Sequence, residues 1–340
     1  MKKIITLVLA LAMAVSLFTG CGKKNIAETG ESDPNKLSVV TTIFPEYDWV
    51  REILGGKAES TDLTMLLDNG VDLHSYQPTT DDIVKISDCD LFIYVGGESD
   101  EWVKNVLKNA VNKKMKVINL LEVLGDSVKE EETVEGMQEV EHDHEDADEH
   151  EDAEEHEHEE KAEYDEHVWL SLRNAETLCE AISDALQQIA SDNKDAYAAN
   201  TAAYVERLAA LDTDYQAAVD AATYQTVLFG DRFPFRYLAD DYGLSYYAAF
   251  VGCSAETEAS FETITFLAGK MDELNLPCVL TIEGAQHRIA QTIVENTTAK
   301  NQEVLTMDSM QSTTSKDVAN GTTYLSIMEQ NLSVLKQALG

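Results

Sequence analysis

Short apolar runs rich in β-branched residues alternate with segments of helical periodicity between residues 37 and 120. The apolar runs predict strands, and they cover residues 37–43, 61–67, 91–95 and 115–120. Residues 46–54 and 101–112 carry the helical pattern, and Thr79-Thr80-Asp81-Asp82 is a capping pattern before a short helix. Strands that alternate with helices predict a parallel sheet covered by helices.

A long helical pattern follows over residues 172–222, which contain no proline or glycine. Leu178, Ile182, Leu186 and Ile189 mark one face, so one or two long helices are predicted here. A second α/β series comes next, with strands predicted at 226–229, 246–250, 278–282 and 304–307 and helices at 261–274, 286–299 and 324–339. The predicted fold is α/β with two lobes, each a small, mainly parallel sheet flanked by helices. A long rigid helix joins the lobes, and a cleft forms where the strand ends meet.

The N-terminus has the pattern of an export signal. Two lysines precede an apolar stretch over residues 4–18, which is shorter than the roughly 20 residues that a membrane-spanning helix needs. Small residues then lead to Cys21, as in the lipobox of bacterial lipoproteins, and a plain secretory cleavage site is the alternative. We therefore expect a signal peptide over 1–21 with lipidation of Cys21, and a flexible tether over 22–36. The N-terminal lobe is expected over 37–171, the linking helices over 172–222 and the C-terminal lobe over 223–340.

The strongest compositional signal is an acidic, histidine-rich segment. Residues 130–166 hold 21 carboxylates, five histidines and one lysine, so a solvated, disordered loop is predicted over about 128–165. The five imidazoles belong to His142, His144, His150, His156 and His158. Imidazole beside carboxylate is a ligand mixture that suits divalent transition metals. The segment is interpreted as an auxiliary metal collector, and a solubilising linker is the alternative.

The overall charge and the cysteines narrow the functional classes further. The net charge is −38, and about half of it lies in the acidic segment. An acidic body argues against binding nucleic acid or anionic lipid directly, because both require basic patches. Besides Cys21, the cysteines show no CxxC spacing, so they are interpreted as small buried apolar residues.

Three histidines lie outside the acidic segment. His74 follows a predicted strand, His167 lies where the acidic segment meets the long helical region, and His287 lies in a predicted helix beside Arg288. His74 and His167 both fall at junctions that face the predicted cleft. His287 is expected at the surface.

An ordered set of motifs resembles the zinc/manganese class (cluster A-I) of solute-binding proteins of bacterial ABC transporters. Residues 42–45 read TIFP, 72–78 read DLHSYQP, 97–102 read GESDEW, and 167–171 read HVWLS after the acidic segment. Further matches are YGL at 242–244, SAETE at 254–258, MDS at 307–309, and Gly321, Tyr324, Met328 and Asn331. The resemblance covers residues 37–340.

The resemblance implies one divalent ion in the cleft, with two ligands from each lobe. His74 and His167 match the two histidines of the N-terminal lobe, and Asp308 matches a carboxylate of the C-terminal lobe. Ungapped counting places Arg232 at the third ligand position, and arginine cannot ligate a cation. Either the neighbouring Asp231 is the ligand, or Arg232 pairs with a carboxylate and the site has three protein ligands plus water or a loop histidine. Glu283 also follows a predicted strand, where it is either a ligand or a cap of the next helix.

The function that the resemblance implies is extracytoplasmic capture of Zn²⁺ and delivery to a membrane permease with its cytoplasmic ATPase. A manganese or iron receptor of the same fold is one alternative, because His₂-carboxylate sites also suit Mn²⁺ and Fe²⁺. A metal-binding adhesin or sensor lipoprotein is another. The protein is expected to be a monomer anchored by lipid on the outer face of the cell membrane. No HExxH, GxSxG or P-loop pattern is present, so an enzyme is not expected.

Overall fold

Two parallel four-stranded sheets form the frame of the molecule in the computed structural model, which describes residues 36–138, 163–254, 258–284 and 287–340. The strands within these ranges are β1 (Ser38–Thr41), β2 (Asp62–Met65), β3 (Leu91–Tyr94), β4 (Lys116–Asn119), β5 (Thr226–Phe233), β6 (Ser245–Val251), β7 (Cys278–Thr281) and β8 (Glu303–Thr306). The helices are α1 (Phe44–Leu54), α2 (Thr80–Asp88), α3 (Val103–Lys108), α4 (Leu120–Leu124), α5 (Leu172–Ile189), α6 (Lys194–Asp220), α7 (Arg236–Tyr242), α8 (Phe261–Leu274), α9 (Arg288–Asn296), α10 (Ser315–Ala319) and α11 (Tyr324–Leu339).

The first sheet has the strand order β2-β1-β3-β4, with every described pair parallel. Its strands are shorter than the apolar runs that predicted them, because the runs continue into the loops at the carboxyl ends. The predicted capping pattern is confirmed: the Thr79 hydroxyl accepts the Asp82 N–H, and the Asp82 carboxylate accepts the Thr79 N–H. These loops at the carboxyl ends are where the candidate histidines lie.

Two long helices occupy the predicted helical region. Helix α5 buries Leu178, Ile182 and Leu186, as the periodicity predicts, and the Ser171 hydroxyl caps its start by accepting the Asn174 N–H. Helix α6 follows after a 3₁₀ turn at Ser191–Asn193 and has 27 residues. The cap at Ser171 fixes the start of α5 just after the HVWL motif, which orients the chain around His167.

The second sheet has the order β6-β5-β7-β8 and is also parallel. Strand β5 extends beyond the predicted 226–229, because an irregularity between Phe229 and Arg232 allows pairing with β6 to continue to Phe233. The extension carries Asp231 and Arg232 to the end of the central strand. Helix α9 is shorter than the predicted 286–299, and His287 lies at its N-terminus rather than inside it.

One continuous apolar core spans both sheets and the long helices, and a smaller core lies between β6, β7, α8 and α9. Three buried hydrogen bonds attach α11 to distant parts of this core. The Tyr324 N–H donates to Asp48 (2.8 Å), the Tyr324 hydroxyl to the Trp169 carbonyl (2.7 Å), and the Tyr215 hydroxyl to the Met328 carbonyl (2.7 Å). The last helix is therefore attached to α1, α6 and the turn after His167. None of the helices described is long and apolar enough to cross a membrane.

Candidate metal centre

His74 and His167 meet at the carboxyl end of the first sheet. His74 lies in a 3₁₀ turn, Leu73–Ser75, whose N-cap Asp72 accepts the His74 N–H at 3.0 Å. His167 is fully buried and precedes a second 3₁₀ turn, Val168–Leu170. The Nε2 atoms of the two rings are 3.2 Å apart, although 93 residues separate them along the chain. The predicted convergence of the two histidines is present.

The opposite ring nitrogens are held by fixed partners. His167 Nδ1 lies 2.9 Å from the Asp165 carboxylate, which also accepts the His167 N–H. Because an ionised carboxylate only accepts hydrogen bonds, Nδ1 carries the proton in the neutral ring, and Nε2 presents a lone pair. Asp165 lies two residues before His167, so this supporting contact is local in the sequence.

His74 is held by groups that the sequence did not single out. Its Nδ1 lies 2.9 Å from the Ser99 hydroxyl and 3.4 Å from the Glu166 carboxylate. Burial acts to raise the pKa of Glu166, but contact with His74 and Ser99 outweighs it and lowers the pKa. Glu166 therefore stays negatively charged beside the ring. Asp72 contacts the backbone of His74 and lies 4.0 Å from its Nε2.

The separation of the two Nε2 atoms suits a shared ion. Zn²⁺ binds imidazole nitrogen at about 2.0–2.1 Å in tetrahedral geometry, which places two such nitrogens about 3.3 Å apart. The observed separation is 3.2 Å. Each Nδ1 lies near a carboxylate, Asp165 at 2.9 Å and Glu166 at 3.4 Å, which favours a proton on Nδ1. In that tautomer the two Nε2 lone pairs face each other, and a cation between them would relieve their repulsion.

Cys253 is the third member of this cluster, and the sequence reasoning missed it. Ligand atoms of His74, His167 and Cys253 all lie within 4.8 Å of one another. All four described cysteines are free thiols; Cys89, Cys179 and Cys278 are buried as predicted, whereas Cys253, in the loop after β6, is only partly buried and does not fit that prediction. Burial, followed by the charges of Asp165 and Glu131, raises the pKa of the Cys253 thiol above its usual range. The useful signal in the sequence was its position two residues beyond the end of a parallel strand.

Gly252 brings the Cys253 loop against His167. A Cβ atom at position 252 would lie 3.0 Å from the Phe233 carbonyl oxygen and 3.1 Å from two ring atoms of His167. Any larger residue would have to displace the backbone or the imidazole. The glycine therefore allows the close approach that places the thiol beside the two histidines.

Arg232 forms the ion pair that was one of the two predicted alternatives. Its guanidinium donates to Asp72 at 2.7 Å and to the Ser254 carbonyl at 3.2 Å. Arg232 therefore links the second sheet to the turn that bears His74 and supports the loop after Cys253. Asp231 accepts the Arg232 N–H at 2.9 Å, and burial raises the pKa of its carboxyl group. Asp231 lines a neighbouring cleft of about 760 Å³ together with Asp72 and Glu283.

Glu283 supports a loop, and its predicted role as a cap of the following helix is wrong. Its carboxylate accepts the Ser309 N–H (2.7 Å), the Ser309 hydroxyl (2.8 Å) and the Gln311 N–H (3.1 Å). These bonds join the end of β7 to the loop after β8. The Glu283 carboxylate is therefore bonded to residues 26 and 28 positions later in the chain. No local sequence pattern reveals such contacts.

Asp308 lies in the loop that Glu283 supports. Its carboxylate accepts the Met310 N–H at 2.7 Å, and its backbone exchanges two hydrogen bonds with the Asn331 side chain. Burial and the nearby charge of Glu283 raise the pKa of Asp308 to about 7. The loop reaches the histidines through Trp169, whose indole N–H donates to the Ser309 carbonyl at 2.9 Å. Asp308 does not belong to the His74–His167–Cys253 group, and its role as a ligand stays a prediction.

Both ends of the acidic segment contact the rest of the fold. Glu130 pairs with Tyr164 in an antiparallel bridge, and the Glu131 carboxylate accepts the Cys253 N–H at 2.9 Å. Gln138 donates its backbone N–H to the Ala249 carbonyl at 3.0 Å. Residues 128–138 and 163–165, which the prediction placed in a disordered loop, therefore have a defined structure, because they bond to each other and to β6. The five loop histidines and Cys21 lie outside the described residues.

Comparison with known proteins identifies close relatives. Residues 39–338 match the family described as zinc-uptake complex component A, periplasmic (ZnuA). The zinc-binding lipoprotein AdcA of Streptococcus pneumoniae serotype 4 is 31% identical over 337 residues, covering 99% of this chain and 61% of AdcA. The high-affinity zinc uptake system protein ZnuA of Bacillus subtilis is 30% identical over 329 residues, covering 97% of this chain and 96% of that protein.

A solved structure supports the same family assignment. The Zn(II)-bound ZnuA-like domain of S. pneumoniae AdcA superposes with a TM-score of 0.66 at 28% identity, covering 89% of this chain and 99% of that domain. The two-sheet fold described above is therefore the fold of this family. The chain spans only 61% of the length of AdcA itself.

Proposed function

Because this chain belongs to the family of periplasmic zinc-uptake components, we propose that it captures Zn²⁺ outside the cytoplasm and delivers it to the permease of an ABC transporter. The names of the AdcA and ZnuA relatives support zinc as the cargo. Manganese and iron remain the competing cargoes within the same fold.

The observation that carries this proposal is the pairing of His74 and His167. Their Nε2 atoms lie 3.2 Å apart, and the other nitrogen of each ring lies within hydrogen-bonding distance of a neighbouring oxygen. Ligating histidines need such partners, which fix the tautomer and the ring orientation. Together, the two imidazoles form a prearranged pair of nitrogen ligands.

Asp308 is the proposed carboxylate ligand from the second sheet. Its loop contacts Trp169, two residues from His167, and this loop would have to move for a carboxylate oxygen to reach the ion. Asp231 and Glu283 line the adjacent cleft. We assign them to its electrostatic field, because carboxylates at the entrance attract cations.

The acidic segment is proposed to collect ions for the centre. Its described ends bond to Cys253 and β6, and the chain between them carries the imidazoles at positions 142, 144, 150, 156 and 158. Tethered weak ligands raise the local concentration of an ion. Lipidation of Cys21 is proposed to hold the whole chain at the outer face of the membrane, with 37–171 and 223–340 as the two lobes.

A competition titration tests the proposal. The zinc-free protein is titrated with Zn²⁺, Mn²⁺ and Fe²⁺ against a chromophoric chelator, with oxygen excluded for iron. One Zn²⁺ should bind at the centre far more tightly than micromolar, and more tightly than either competitor. Micromolar or weaker binding of all three ions would sink the transport proposal, and tighter binding of Mn²⁺ would reassign the cargo.

A further inference from the structure

We propose that the Cys253 thiolate is the third protein ligand of the captured ion, so that the centre combines two imidazoles with one sulfur. This inference rests on the proposed function, because it concerns the ligand set of the same centre. It assigns a ligand to the position that Arg232 leaves without one.

The geometry brings the sulfur to the histidine pair. The ligand atoms of His74, His167 and Cys253 lie within 4.8 Å of one another. A tetrahedral zinc ion with bonds of about 2.0–2.1 Å to nitrogen and about 2.3 Å to sulfur needs nitrogen–sulfur separations of about 3.6 Å. A rotation of the cysteine side chain or a small movement of its loop supplies the difference.

Two contacts hold the loop in this position. The Cys253 N–H donates to Glu131 at 2.9 Å, and Arg232 donates to the carbonyl of the next residue, Ser254, at 3.2 Å. Gly252 passes against the His167 ring, where a side chain would collide. Arg232 therefore supports the loop that carries the sulfur, although it cannot be a ligand itself.

The negative charges around His74, His167 and Cys253 favour a bound cation. Asp165 and Glu166 lie beside the two imidazoles, and Glu131 accepts the Cys253 N–H, so three carboxylates surround the cluster. A divalent ion bound between the ligands would offset the charge of these carboxylates and stabilise the thiolate. The thiol proton leaves to solvent as the metal–sulfur bond forms. A soft thiolate also favours zinc over manganese, which prefers oxygen ligands.

Cobalt spectroscopy and X-ray absorption test the sulfur ligand directly. The full chain carries Cys21→Ala in every sample, so that the N-terminal thiol adds no signal. With Co²⁺ bound, we expect a thiolate-to-cobalt charge-transfer band in the near ultraviolet. With Zn²⁺ bound, we expect a sulfur scatterer at about 2.3 Å. Both signals should disappear in Cys253→Ala and persist in Cys278→Ala, which removes a buried thiol at the start of β7.

The affinity provides a second readout. Cys253→Ala should weaken zinc binding by more than the roughly 10–100-fold that loss of a supporting partner costs, whereas Cys278→Ala should leave it unchanged. Circular dichroism and thermal unfolding check that both variants fold. Tight zinc binding with only nitrogen and oxygen scatterers would overturn the cysteine assignment and leave the proposed function standing. Absence of tight zinc binding in the parent protein would overturn both.

Discussion

The two sheets contribute to the cleft in different ways. Near the first sheet, two imidazoles face each other, and their orienting partners Asp165 and Glu166 are next to His167 in the chain. Near the second sheet, Glu283 and Asp308 accept backbone N–H groups from the loop after β8. The first region therefore holds its ligands ready, whereas the second uses its carboxylates to shape a loop. Under the proposed function, the first region is the fixed half, which would accept the ion first, and the second is the adjustable half, which would complete the shell.

The largest expected effect comes from removing an imidazole of the fixed half. His167→Ala should weaken zinc binding by more than about 100-fold, because it deletes a ligand rather than a supporting group. Chelator competition measures the loss. His287→Ala is the matched control, since His287 lies at the start of α9 outside the His74–His167–Cys253 cluster. Equal losses in the two variants would mean that the histidine pair is not the centre.

Asp308 tests the adjustable half through the pH dependence of stability. Its pKa is raised to about 7, mainly by burial, so its neutral form stabilises the zinc-free fold at low pH. This contribution is complete below the unfolded value of about 4 and is lost as the pH rises through 7, with a total of at most about 4 kcal/mol. Asp308→Asn should remove that part of the pH dependence and also weaken zinc binding. Urea unfolding of the zinc-free protein between pH 5 and 8 measures the first effect.

Glu283→Gln separates support from ligation. An amide in place of the carboxylate directs an N–H group at the Ser309 or Gln311 N–H, so the free energy of unfolding should fall by about 1–3 kcal/mol at every pH tested. If Glu283→Gln instead left stability intact while abolishing zinc binding, Glu283 would be a ligand and not a support.

Removing the ion pair between Arg232 and Asp72 should lower zinc affinity and stability less than the changes above. Arg232→Ala leaves Asp72 without its partner and frees the loop at Ser254, so stability should fall by about 1 kcal/mol with a moderate loss of zinc affinity. Arg207→Ala, which breaks the more exposed pair with Glu52, is the control and should change neither quantity measurably. An unchanged zinc affinity in Arg232→Ala would show that this pair does not position the Cys253 loop.

The smallest effect on affinity is expected from deleting residues 139–162. The deletion keeps Glu131 and Gln138, whose contacts with Cys253 and β6 are part of the centre. Tight binding of one Zn²⁺ should persist. The additional weak binding that calorimetry should detect in the full chain should disappear in the deletion variant. Loss of tight binding would place the principal site in the acidic segment. A deletion starting at residue 130 would confuse the two results, because it removes the Glu131 contact.

The two sheets, helix α5 and the meeting of His74 with His167 were predictable from the sequence for physical reasons. Buried parallel strands leave continuous apolar runs, and long helices leave a periodic stripe, so the two sheets and α5 were readable. His74 and His167 stood out because each lies at a junction between regular elements. Their orienting groups Asp165 and Glu166 are sequence neighbours, although the role of Ser99 appears only in three dimensions.

The second half of the site was less predictable because its bonds are long-range. Glu283 bonds to residues 26 and 28 positions later, and Arg232 bonds to Asp72, 160 positions earlier. Cys253 is a single cysteine in a loop, without the paired spacing that marks a metal site in a sequence. Only the order β6-β5-β7-β8 shows that its loop lies beside the end of β5.

The attachment of α11 restricts how far the two sheets can move apart. Swinging the two sheets apart would break the hydrogen bonds of Tyr324 to Asp48 and Trp169, each worth about 1 kcal/mol, and would also expose part of the shared core. A wide hinge opening between the two sheets would therefore cost more free energy than a local movement of loops. Under the proposed function, release of the ion would instead need short displacements of residues 252–254 and 308–311, which leave the two imidazoles in place.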